Sequence, residues 1–105
     1  MASTPLILAE GQVAATKGTI YTVPALTRAI VRTVSFNHVA NGTQTVILYV
    51  KKSGSTSRVF ARALLETSEF CHEEDIGTLA AGDVLEAETT NAASVDYAVM
   101  GVEVV

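Results

Sequence analysis

Five consecutive residues, Cys71-His72-Glu73-Glu74-Asp75, form the densest set of potential ligands in the chain. Soft sulfur beside imidazole and carboxylate oxygens is the chemistry of a zinc site, which requires its ligands to converge on one point. Neighbours along an extended strand point to opposite faces, so Cys71 and His72 cannot easily share a metal. A structural zinc site also needs a second ligand pair at short spacing elsewhere, and the sequence has none. The Asp-x-Asp-x-Asp-Gly spacing that wraps calcium is missing too. These spacings predict no metal: Cys71 is expected as a small buried hydrophobe, and Glu73, Glu74 and Asp75 as a solvated loop.

Catalysis is the next chemistry to weigh. His38 and His72 are the candidate bases near neutral pH. Neither lies in a Gly-x-Ser-x-Gly or Ser-x-x-Lys context, and the seven glycines are scattered singly, with no phosphate loop or dinucleotide fingerprint. The expectation is a protein without catalytic residues, cofactor or small-molecule substrate, and not an enzyme. Sugar and single-strand platforms stack rings on flat aromatic faces. With no Trp, three Tyr and three Phe, the chain has little to build one from. Tyr21, Tyr49 and Tyr97 each fall in an apolar run and read as core or core-edge residues.

The elements that would position any such residues are short and extended. The 105 residues suffice for one domain. Hydrophobic residues make up 49% and charged residues 17%, which excludes a disordered tail. A formal net charge of -4 has the wrong sign for neutralising a phosphate backbone, so nucleic acid is not an expected partner. A single cysteine forms no intrachain disulfide and suggests a reducing compartment such as a host cytoplasm. No apolar run reaches membrane-spanning length, so no membrane is expected either.

Thr, Val and Ile are frequent, and their β-branched side chains suit a pleated surface. In the stretch from Arg28, alternation groups Ile30, Val34 and Phe36 on one face, with Arg32 among them, and Val31, Thr33 and Ser35 on the other. Asn41-Gly42 tolerates positive φ and predicts a hairpin turn into 44–51, where Val46, Leu48 and Val50 share a side. The segment 58–66 reads as a strand in preference to a helix. Leu85 and Ala87 oppose Glu86 and Glu88, and Val95, Tyr97 and Val99 oppose Asp96, Ala98 and Met100. Gly101 inside the last run predicts a bulge or a close backbone contact.

About eight strands spaced near ten residues apart predict an all-β fold, an antiparallel two-sheet sandwich of jelly-roll or Greek-key type. Residues 11–105 are assigned to this domain. Residues 1–10 are either a first strand or an arm packing on a neighbour, with Leu6, Ile7 and Leu8 as candidate interface residues. All seven basic residues lie between Lys17 and Arg62, whereas ten of the eleven acids lie from Glu66 onward. Interleaved strands would mix these signs; alternatively, opposite patches survive and meet between subunits, fixing register.

The order of TIYTVPA at 19–25, RAIVRTVSFN at 28–37, VILYVKKSG at 46–54, LAAGDVLEA at 79–87 and the closing VMGVEV resembles small virion proteins of tailed bacteriophages, especially jelly-roll capsid cement or decoration proteins. The resemblance covers most of the chain as an order of strands and turns. It implies binding to the major capsid protein on the outside of the capsid, commonly as a homotrimer, and a place on the virion surface. It implies no catalytic residue. A tail, fibre or baseplate module and a receptor- or glycan-binding sandwich are the alternatives.

Overall fold

The computed structural model describes residues 6–105, except for the side chains of Leu6 and Asp75. These residues form eight strands: β1 (Leu6–Gln12), β2 (Gly18–Thr22), β3 (Arg28–His38), β4 (Gln44–Lys51), β5 (Arg58–Leu65), β6 (Phe70–Leu79), β7 (Val84–Thr89) and β8 (Val95–Val104). They pair antiparallel in two four-stranded sheets, ordered β1-β8-β3-β6 and β2-β7-β4-β5. This interleaved order is that of a jelly roll, in which two Greek keys wrap into a sandwich. The expected all-β sandwich is therefore the fold observed. Residues 6–10, expected as an arm or a first strand, lie in β1 along β8; residues 1–5 lie outside the described ones.

The core is the layer between the sheets. Val34, Phe36 and Val99 from one sheet and Val46, Leu48 and Leu85 from the other are almost fully buried. The expected alternation holds in β4, β7 and most of β8. In β3 it breaks. Ala29 and Val31 face the core before Arg32, and Val34, Phe36 and His38 after it, because the register with both β6 and β8 shifts between Val31 and Thr33. The bulge advances the side-chain phase by one residue, which places Ile30 on the outer face, opposite to the face expected for it.

Two further expectations are corrected. The Asn41-Gly42 turn is present, with Gly42 at φ 92°, but it does not close a hairpin: β3 and β4 belong to different sheets, and the chain crosses the sandwich there. Turn chemistry specifies a reversal, whereas sheet membership depends on partners remote in sequence. Glu73, Glu74 and Asp75 form no loop. They continue β6, paired along β3 through Thr33 and Val34.

All four edge strands are irregular. Register shifts interrupt β1 against β8, β2 against β7, β5 against β4 and β6 against β3, whereas the central β4–β7 ladder runs without one. Bulged edges resist the addition of a further strand, so contacts with another chain are directed through side chains. Glu73 adds to this effect. It stands opposite fully buried Val34 on the inner face of edge strand β6, and an inward charge at an edge opposes strand pairing.

Candidate protein interface

The described side chains of the 71–75 cluster are divided between the two faces of β6. Cys71 stands opposite Phe36 and is half-buried against the core, while His72 stands opposite Ser35 and is exposed, so the two point to opposite faces as expected. Burial, reinforced by the nearby Glu73 charge, pushes the Cys71 thiol above its ordinary value, away from the reactive thiolate. His72 packs edge-on against Phe70, with ring centroids 5.2 Å apart. Among the described residues no group of three metal-ligating side chains converges.

His38 has a different task. Only 4% exposed, it accepts a hydrogen bond from Ala40 N–H at Nδ1 and donates through Nε2 to the Gly42 carbonyl oxygen. These partners fix the neutral tautomer with its proton on Nε2, and the ring becomes the hub of the 39–43 crossing. At the same end, the buried Gln44 Oε1 accepts from the Thr89 hydroxyl and from Asn91 N–H. At the opposite end Asp83 does comparable work. Its Oδ1 accepts from Ser53 N–H, and its Oδ2 from Ala80 N–H and the Lys52 ammonium. Burial alone would raise the Asp83 carboxyl, but the two backbone donors and Lys52 outweigh it and hold it below the usual value.

The outer face of the β2-β7-β4-β5 sheet is polar and cross-linked. The Tyr49 hydroxyl donates to Glu88 and the Ser57 hydroxyl to Glu86, while the Lys17 ammonium sits 5.0 Å from the Tyr49 ring centroid. The bond to Glu88, with burial adding, pushes the Tyr49 phenol up. Tyr49 thus lies on the outside, whereas Tyr21 is buried and bonds Glu103 at 2.6 Å. Open recesses among the described residues include one of about 400 Å³ beside Glu10, Gln12, Asp96 and Tyr97 and one of about 210 Å³ beside Thr45, Ile47 and Glu88. Neither histidine lines them.

The candidate interface residues of β1 are divided by the strand. Ile7 is 60% exposed opposite Met100, and Leu8, at the bulge, packs against the core. The Leu6 backbone pairs with Gly101; its side chain lies outside the described ones. A larger exposed apolar group stands at the other edge of the sandwich and was not singled out from sequence. Val59, Phe60 and Leu64 of β5 and Phe70 of β6 are between 44% and 64% exposed. In β5, the bulge between Leu48 and Tyr49 of its partner leaves Phe60 as the extra residue. Ala61 and Ala63 face inward there and are only half-buried, because β5 and β6 end their sheets and nothing beyond them closes the gap.

No family model matches the chain, and no curated protein does. Among solved structures, it resembles a protein described under "Bacillus endospore appendages form a novel family of disulfide-linked pili", at 16% identity and a TM-score of 0.55, over 97% of this chain and 85% of that one. It also resembles PirA, from its crystal structure, at 14% identity and a TM-score of 0.52, over 89% of this chain and 90% of that one. At these identities the likeness is one of fold.

Proposed function

We propose that this chain is a structural protein of a tailed-phage virion, held on the outer surface of the capsid and cementing neighbouring major capsid proteins. The observation that carries the reading is the exposed apolar group Val59, Phe60, Leu64 and Phe70 on two adjoining edge strands. Val59 and Leu64 share the outer face of β5, and Phe70 stands on the outer face of neighbouring β6; exposed apolar side chains grouped at an edge mark protein contact, and each Å² removed from water contributes about 25 cal/mol. The bulges that interrupt both edges favour side-chain packing over strand addition. A small domain docked this way gains strength when several copies engage one shell, because each bound contact raises the effective concentration of the next.

The phage part of the reading is supported by the resemblance in strand and turn order. The endospore appendage protein shares the fold within disulfide-linked pili. The present 105 residues hold one cysteine, which could bridge two copies but not a continuous series. Cryo-microscopy of particles with and without the chain tests the proposal. Density lost from the outer capsid surface, with earlier rupture on heating, is the expected result. Density lost from the tail, or no density lost at all, overturns it.

A further inference from the structure

We propose that the β5–β6 edge is covered by a second copy of this chain, the two copies being related by a two-fold axis parallel to the strands. The inference rests on the reading of that edge as a docking surface and names its occupant.

Charge placement selects both the partner and the axis. Within the sheets acidic strands lie beside basic ones: β7 beside β4, and β8 and β6 beside β3. At this edge the two signs lie on facing strands of different sheets. β5 carries Arg58 and Arg62 and no acid, while β6 carries Glu73, Glu74 and Asp75 and neither Lys nor Arg. Among the described residues the ion pair formed is Lys52 with Asp83, and Arg62 and Glu74, both exposed, have no described opposite charge within 4.0 Å.

The chain reaches the turn at 66–69 along β5 and returns along β6, so equal counts from the turn give similar heights along the edge. Arg62 precedes Leu65 by three residues, and Glu73 and Glu74 follow Phe70 by three and four. A two-fold axis along the strands exchanges the β5 and β6 sides while preserving height. It sets Arg62 of each copy against Glu74 of the other, and Leu64 against Phe70 near the turn, all four on outer faces of their strands. A two-fold axis across the strands would stack β5 on β5 and β6 on β6, opposing like charges. The edge is thus self-complementary in one arrangement, as an isologous contact requires.

β5 and β6, of eight and ten residues, extend roughly 26 to 33 Å, so the edge they form has the length of a small side-chain interface. Irregular β5 and β6 ladders keep this contact on side chains, so the pair ends with two copies and does not extend as a sheet.

The test uses the whole chain and two charge-reversal variants, with mass measured by light scattering during gel filtration. The native chain is expected at twice its 11.0 kDa. Arg62→Glu alone and Glu74→Arg alone each oppose like charges twice, and each should raise the dissociation constant by at least about tenfold. Mixed in equal amounts, the two variants should associate again, because both contacts in the mixed pair are then attractive. Leu64→Asp should abolish the pair without touching those charges, and unchanged melting of each variant verifies its fold.

A native mass equal to one chain or three, or a mixture that stays monomeric, overturns the two-fold pair. A monomeric chain that still supplies capsid-surface density leaves the docking proposal standing and removes only the second copy as occupant. A pair-forming chain absent from the capsid surface does the reverse.

Discussion

A methyl group on Gly101 would lie 2.1 Å from the carbonyl oxygen of Ile30 and 3.0 Å from the Val31 Cα. These atoms are backbone and cannot swing aside. Gly101 pairs with Val31 immediately beside the register shift that reverses the phase of β3, so the missing side chain lets β8 approach where β3 bends. Gly101→Ala is expected to lower stability by about 2 kcal/mol or more, comparable to overpacking a dense core. Thermal unfolding followed by circular dichroism measures it; an unchanged midpoint would show that the strands separate freely there.

That contact was anticipated from a lone glycine in a β run, and the inward sets of β4 and β7 were equally plain, because period-two alternation is a local property. Ile30 was misplaced because one bulge at Arg32 reverses the phase of everything before it, and nothing in RAIVRTVSFN marks the bulge. The β5–β6 edge was illegible for a related reason. Val59, Phe60 and Leu64 read as ordinary strand residues, and their exposure follows from β5 ending its sheet, which only the order of strands reveals. The half-buried Ala61 and Ala63, which made 58–66 ambiguous between strand and helix, are what that edge position looks like in sequence. The segregation of charge about Glu66 was visible, but its survival at one edge was not.

Asp83 makes stability depend on acid. Its folded-state carboxyl is held below its ordinary value, so the unfolded chain binds the proton more tightly. The contribution is therefore present above the unfolded value, near 3.8, and lost as pH falls below it toward the folded value. Asp83→Asn keeps the shape but loses charge-assisted acceptance from Ser53, Ala80 and Lys52, and should cost about 1–3 kcal/mol at neutral pH. Urea titrations at pH 7 and pH 3 should show the difference from the native chain narrowing at the lower pH. A constant difference would place the effect in shape alone.

The two histidines should behave oppositely on substitution. His38→Ala removes a buried ring and leaves Ala40 N–H and the Gly42 carbonyl without their partner, so a loss of about 2–4 kcal/mol is expected. His72→Ala, on the exposed face of β6, should remain within about 0.5 kcal/mol. Equal effects from both in denaturant titrations would contradict the assignment of His38 as the hub of the sheet crossing.

Cys71 reports on the edge beneath which it lies. Its thiol is half-buried and pushed up by burial, so at pH 8 a smaller thiolate fraction and restricted access both slow attack on a disulfide reagent. Labelling of the folded chain by an aromatic disulfide should be at least about tenfold slower than in denaturant and should accelerate as pH rises. A second copy seated on β5 and β6 restricts access without altering the unfolded reference. The folded rate should then fall further as protein concentration increases, while the rate in denaturant stays constant. Labelling as fast as in denaturant would mean that the strands around Cys71 open readily, a result incompatible with a rigid edge presenting Phe70 and Leu64 to a partner.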